Sequence, residues 1–435
     1  MSRHLLLQRW KTRAVFWCGA VLVGLSAVGF AEACTWAINL HARFIARWPL
    51  AALAITPLGL ALVVWITRRY TPGSRGSGIP QAIAALELPD GASRSQLLSL
   101  PIALGKVALT LLGLLAGASV GREGPTVHIG ASIMDALGRV ARFPYEYVRR
   151  SLILAGSAAG LAAAFNTPIA GIVFAVEEMS RSLEERTTGT LLTAVILAGM
   201  VSLGLLGDYT YFGVAKAQLP SLASWLAVPL CGLAGGLAGG LFSRVLIDAS
   251  RKLAPLAAKR PLALALALGL IIALLGMLSG GVTYGTGYEQ ASGLLTGHSD
   301  PGPLFPLLKW LATLASYLTG MPGGIFSPSL ATGAGLGADL APLVPQASVS
   351  TMVVLGMAAY FTGVTQSPLT GAVIVMEMVD DHALILPMLA TAFIALGVSR
   401  MICKTPIYRA LAIPFLASAR LSAPPPPATT GEARG

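Results

Sequence analysis

Ten apolar runs, each long enough to cross a bilayer, set the first limit on what this chain can be. They lie at about 14–34, 49–66, 100–118, 151–178, 188–206, 222–243, 261–282, 303–320, 351–377 and 383–401, against the roughly 20 residues a spanning helix needs. With 55% of its 435 residues hydrophobic and only 11% charged, the chain is outside the balance of a soluble domain and reads as an integral membrane protein. Helices rather than a barrel follow, because alternating ten-residue segments are absent and a helix pairs every backbone polar group within its own segment.

The formal charge of +11 points to membrane topology and not to a nucleic-acid partner, because the bases sit in short loops beside apolar runs. Arg3, Arg9, Lys11 and Arg13 precede the first run, and Arg68, Arg69 and Arg75 follow the second. Arg139, Arg142, Arg149 and Arg150 fill one loop, and Arg400, Lys404, Arg409 and Arg420 close the chain. The positive-inside rule makes these loops and both termini cytoplasmic, and turns "DYTYFG" (208–213) and "EQASGLLTGHSDPG" (289–302) outward. Arg43 and Arg47 fall on a connection expected outside, against the rule. The first run is too long, and lacks the cleavage site, for a signal peptide. Cys18, Cys34, Cys231 and Cys403 have no paired spacing, so neither disulfide nor metal chemistry is expected of them.

Two runs break. Leu100–Ala118 is interrupted by Gly117–Pro125, and the following stretch, Thr126–Gly138, reaches only about 20 Å at 1.5 Å per residue, short of a core of roughly 30 Å. The run ending "LLKWLATLASYLTG" (307–320) breaks likewise at "MPGGIFSP" (321–328). Irregular backbone at membrane depth is tolerated only where protein buries it or a polar cavity adjoins it. "GSGIP" (76–80) and "FNTP" (165–168) share the design: small or polar residues ahead of a helix-starting proline. Such starts leave free N–H groups at the positive end of a helix dipole, the makings of an anion site.

The chain also repeats itself. "NTPIAGIVFAVEEM" (166–179) and "QSPLTGAVIVMEM" (366–378) align at a spacing of 200, and "GREGPTVHIG" (121–130) matches "GIFSPSLATG" (324–333) in glycine, proline and glycine. Paired broken helices in two similar halves point to a transporter-type fold with its site at the midplane between them. The expected division is 1–48, an N-terminal cytoplasmic segment and first membrane helix; 49–206, a first repeat; 207–221, a connecting loop; 222–412, a second repeat with a C-terminal helix; and 413–435, a short proline-rich cytoplasmic tail.

"GSGIP", "GREGP" and "GIFSP" (the G-x-F-x-P pattern), in this order and with the repeat and the final "TPIYRALA" (405–412), resemble the signature set of the CLC chloride channels and transporters. The likeness covers nearly the whole membrane region. It implies an all-α polytopic membrane protein of two inverted-topology repeats with broken and half-spanning helices. It further implies a homodimer with one pathway per subunit, carrying chloride and protons in exchange and needing no cofactor. Ser77 and Tyr408 hydroxyls and the backbone N–H groups of Ile325 and Phe326 would hold a central chloride, with Arg122 and Gly124 beside it. Serine at 77 is the variant associated with chloride preference. Glu123 would be the gating glutamate and external proton site, and Glu178 the internal proton-transfer acid; having both favours exchange over passive conduction. The chain departs from the family in "LTGM" (318–321), where a serine–glycine pair is expected, and no nucleotide-binding CBS pair is expected after the membrane part.

Elementary electrostatics leads to the same place. A tethered carboxylate at an anion site satisfies the helix-end donors when ionised and loses that attraction when protonated, which links anion movement to protonation. A second acid is then needed to pass the proton on, since few other titratable groups are present. Simpler readings stay open for several residues: a helix cap for Ser77, an interfacial belt residue for Tyr408, and a solvated helix end for either Glu177 or Glu178. Arg122 either makes the route electropositive or pairs with a neighbouring acid. Lys106 is an intramembrane cation and a functional candidate by position, whereas His128 reads as packing and Glu32 carries no assigned role. "HSD" (298–300) holds three hydrolase residue types, but adjacent side chains do not converge, so an enzyme is not expected; five histidines without metal spacing disfavour a metal site. A passive chloride channel of the same fold is the main alternative. The composition points to a bacterial inner membrane.

Overall fold

The computed structural model describes residues 3–88, 91–143, 146–180, 189–207, 209–214 and 218–421. Most of the tail expected at 413–435 therefore lies outside the described residues. Within them the chain is helical, with two isolated bridges, Gly76–Pro322 and Gly121–Gly324, and no strand. The first half comprises α1 (Arg3–Arg47), α2 (Ala52–Tyr70), α3 (Ile79–Glu87), α4 (Gly91–Ser95), α5 (Leu100–Leu115), α6 (Glu123–Val140), α7 (Glu146–Phe165), α8 (Pro168–Phe174), a π-helical turn (Ala175–Ser180) and α9 (Gly189–Leu206). The second comprises α10 (Ala227–Lys259), α11 (Pro261–Leu278), α12 (Tyr288–Thr296), α13 (Phe305–Leu318), α14 (Phe326–Leu340), α15 (Val349–Thr365), α16 (Pro368–Val379) and α17 (Ile385–Ile402), followed by α18 (Ile407–Leu421).

Seven of the described helices are long and apolar enough to cross a membrane, fewer than the ten runs. The run 151–178 divides into α7 and α8, and the run 351–377 into α15 and α16. In each case a residue in the left-handed region ends the longer helix, Asn166 (φ 57°) and Gln366 (φ 63°), and a proline opens the next. Left-handed residues end helices by redirecting the chain, and apolarity alone does not register this. The run 303–320 yields only α13, 14 residues or about 21 Å, too short to span. Arg43 and Arg47 lie on the last turns of α1 and not on a connection. α18 continues to Leu421, nine residues past the boundary expected at 412.

The order of elements extends the repeat further than the motifs did. α2 to α9, leaving α4 aside, match α11 to α17 in sequence, and α3 and α12 are nine residues each. The long α1 has its counterpart in the long α10. The halves pack alike: α6 crosses α7 where Gly130 meets Gly156, and α14 crosses α15 where Gly333 meets Gly356. A Cβ on any of these four would fall within 2.6 Å of the facing backbone. Small residues at such crossings let membrane helices approach backbone to backbone, the main source of packing energy in lipid.

Two carboxylates interlock the halves. Glu377 accepts hydrogen bonds from the N–H groups of Ile169 (3.1 Å) and Ala170 (2.6 Å) at the start of α8. Its repeat counterpart Glu177 accepts from Leu369 (3.2 Å) and Thr370 (2.7 Å) at the start of α16, and from the Thr370 hydroxyl at 2.8 Å. Each half thus caps a helix of the other, satisfying orphan donors and the dipole together. Glu177→Ala or Glu377→Ala is expected to cost about 1 to 2 kcal/mol, the scale of a lost charged cap, read as a lowered melting midpoint of the detergent-solubilised protein.

Candidate functional site

The three motif loops meet in one place because their backbones are stitched together. Gly76 N–H donates to the Met321 carbonyl (3.0 Å) and Gly323 N–H to the Gly76 carbonyl (3.1 Å). Gly121 and Gly324 exchange both bonds, at 2.7 and 2.8 Å. The N-termini of α3, α6 and α14 are thereby brought side by side. Gly78 (φ 112°) is in a conformation open only to glycine, and Gln81 closes a capping box on its N–H at 3.1 Å. The unexpected "LTGM" segment fits this frame: the Thr319 hydroxyl accepts from Met321 N–H at 3.2 Å, and the Met321 carbonyl receives Gly76.

Glu123, fully buried, opens α6, and its side chain crosses to α14. One carboxylate oxygen accepts from the Ser327 N–H at 3.2 Å, the other from the Ser327 hydroxyl at 2.5 Å. The carboxylate therefore sits on the N-terminus of α14, which Ile325 and Phe326 begin, where helix-end donors favour an anion.

Ser77 is 1% exposed and packs its hydroxyl against Gly124, where a Cβ would sit 2.2 Å from that oxygen. Tyr408, also 1% exposed, opens the first turn of α18, which packs on α3. Neither the Ser77 nor the Tyr408 hydroxyl has a protein hydrogen-bond partner. Buried hydroxyls are nearly always paired, so this pair fits a bound polar species. The Tyr408 phenol lies within electrostatic reach of both Glu123 and Glu178.

The neighbouring acids 177 and 178 part company on the π-helical turn. Glu177 caps α16, while Glu178 is 2% exposed and accepts from the Ser367 hydroxyl at 2.5 Å. Ser367 precedes α16, at the place in the second half that Thr167 takes in the first.

Arg122 is held by α1. Its guanidinium donates to the Ala31 carbonyl (2.7 Å) and the Thr35 hydroxyl (3.1 Å) on α1 and lies 4.0 Å from Glu123. It lines a cavity of about 720 Å³ together with Glu32, His41, Tyr209, Tyr211 and Tyr288. Lys106, fully buried, finds carbonyls rather than an acid, Gly76 at 2.8 Å and Arg75 at 3.5 Å. Its repeat counterpart Lys309 holds Gly285 (2.8 Å) and Thr283 (2.9 Å) in the same manner. The lysines thus clamp the loops ahead of α3 and α12. His128 bonds the Leu97 carbonyl at 2.7 Å within the packed interior.

Sequence reasoning missed Ser327 and Ser367. The two serines stand inside quoted motifs, and superposing the repeats singles out Ser367.

Known proteins resemble this chain over nearly its whole length. The H(+)/Cl(-) exchange transporter ClcA of Citrobacter koseri is 32% identical over 93% of this chain and 89% of its own length. That of Salmonella typhimurium is 31% identical over the same shares. Among solved structures, a slow cyanobacterial Cl-/H+ antiporter superposes with a TM-score of 0.79 at 28% identity, covering 94% of this chain and 98% of that one. A CLC-type fluoride/proton antiporter, 24% identical, shares the fold at a TM-score of 0.78 over 94% and 99%. The model of the voltage gated chloride channel family matches residues 59–400, the stretch that holds all three stitched loops and most of both halves, and the chain belongs to that family.

Proposed function

We propose that this integral membrane protein exchanges chloride for protons, with Glu123 as gate and external proton site and Glu178 as internal proton site. The observation that carries the reading is the seat of Glu123 on the α14 N-terminus, beside two buried hydroxyls without protein partners. Chloride is held by the Ser77 and Tyr408 hydroxyls and the N–H groups of Ile325 and Phe326, with Gly124 giving Ser77 room. Ionised, Glu123 occupies the helix end as the tethered rival of chloride; protonated, it releases the helix end and carries a proton. Arg122 sets the potential around it. Glu178, buried against Ser367, exchanges that proton with the cytoplasm. The names of the exchange transporters similar to this chain support the ion pair.

A homodimer in the bacterial inner membrane, both termini cytoplasmic, is part of this reading. Ile169 and Leu369 are exposed beside the two capping carboxylates. Carboxylates facing lipid are costly, so a second copy covering α8 and α16 would stabilise this face.

The test uses purified protein in liposomes. A chloride gradient is imposed without a proton gradient, the potential is clamped with a potassium ionophore, and external pH is recorded. Uphill proton movement supports exchange; chloride flux without it leaves a passive channel. The site itself is probed by Gly124→Ala, whose methyl would strike the Ser77 hydroxyl. Its chloride affinity is expected to fall about tenfold, the scale of one charge-assisted hydrogen bond, in calorimetric titration.

A further inference from the structure

The loop that leads into α3 is pinned through its backbone. The Arg75 carbonyl accepts from the Gln81 amide at 2.5 Å and from Lys106 at 3.5 Å, and the Tyr317 hydroxyl lies over Gly76, where a Cβ would stand 3.3 Å from it. Arg75 itself is exposed, and among the described residues its guanidinium forms no ion pair. It meets a ring instead. The guanidinium carbon lies 4.8 Å from the centre of Phe415, the shortest cation–ring distance among the described residues. A guanidinium over an aromatic face is drawn to the ring quadrupole and stacks its flat side on the apolar surface.

Phe415 is 8% exposed and belongs to α18, which packs on α3. It follows Tyr408 by seven residues, within about 20° of two full turns at roughly 100° per residue, so both rings leave the helix on one face. α18 is continuous through Pro414, and a contact that fixes Phe415 therefore bears on the first turn as well. Arg75 precedes Ser77 by two residues in the pinned loop. One stack thus joins the two elements that carry the unpartnered hydroxyls of Ser77 and Tyr408, and it does so without using either hydroxyl.

We infer that Arg75 is a positioning residue of the chloride site: stacked on Phe415, it ties α18 to the loop that carries Ser77 and so sets where the Tyr408 hydroxyl stands relative to Ser77. This rests on the chloride-site reading of Ser77 and Tyr408 given above. Without the stack, α18 settles less tightly on that loop, the two hydroxyls are less well placed for one anion, and chloride is held more weakly.

The test is calorimetric titration of chloride, at constant ionic strength in detergent, into wild type, Arg75→Gln, Phe415→Leu, Tyr408→Phe and the doubles Arg75→Gln/Phe415→Leu and Arg75→Gln/Tyr408→Phe. Arg75→Gln alters only an exposed side chain and is expected to raise the chloride Kd about threefold, the scale of one exposed cation–π contact. Phe415→Leu leaves the Arg75 charge in place and should raise the Kd as much, and the double should raise it no further than either single. On the Tyr408→Phe background Arg75→Gln should change nothing, because the hydroxyl it positions is gone. Wild-type affinity in Arg75→Gln or in Phe415→Leu would overturn the proposal. So would equal shifts from Arg75→Gln with and without the Phe415 ring, the mark of a cation that attracts chloride by charge alone. Wild-type affinity in Tyr408→Phe would instead overturn the chloride-site reading, and with it the proposal, by a variant that leaves Arg75 and Phe415 as they are.

Discussion

In the Glu123→Gln variant, chloride flux should persist while proton flux falls on the order of a hundredfold, the scale of deleting a proton-transfer group. The amide matches the protonated acid in shape and carries no charge, so nothing rivals chloride for the donors of Ser327 at the end of α14. The variant should therefore saturate at lower chloride than wild type and ignore an imposed proton gradient. The measurement is paired recording of external chloride and external pH in liposomes. Retained proton coupling would show that the carboxylate is a structural cap like Glu177, whose bonds to α16 it resembles.

The contrast between those two glutamates shows which parts of the molecule the sequence discloses. Helix ends with proline and glycine were legible because φ preferences and missing N–H groups are local properties, and so "GSGIP", "GREGP" and "GIFSP" could be placed at helix starts before any contact was known. The convergence of the three loops was legible only through the repeat and the family likeness. The bonds that bring it about, between Gly76, Met321, Gly121 and Gly324, are non-local and carry no side-chain signal. Likewise Lys106 could be recognised as an intramembrane cation, but its partners are backbone carbonyls, which no residue type announces. Of the breaks inside the runs 151–178 and 351–377, the first was legible in "FNTP", whose proline was read as a helix start; mean hydropathy missed both, because two polar residues at each break, Asn166–Thr167 and Gln366–Ser367, are too few to lower the average of a long apolar run.

Adjacent acids at 177 and 178 posed the hardest choice, since a solvated helix end was open for either. Successive residues on a helix differ in direction by about 100°, so the pair cannot face one way, and the π-helical turn sends Glu177 to the α16 N-terminus and Glu178 inward to Ser367. The two substitutions should therefore part in their readouts. Glu178→Gln keeps the shape and the Ser367 contact and removes the titrating oxygen pair, so proton flux should fall on the order of a hundredfold with chloride flux and melting midpoint near wild type. Glu177→Gln weakens a cap, so it should lower the melting midpoint and leave the ratio of protons to chloride intact. Both are measured on the same preparation, by thermal melts in detergent and by external pH in liposomes. If Glu178→Gln still drives protons uphill against a chloride gradient, the internal proton route bypasses Glu178, and the buried contact with Ser367 is a packing feature of the α8–α16 junction.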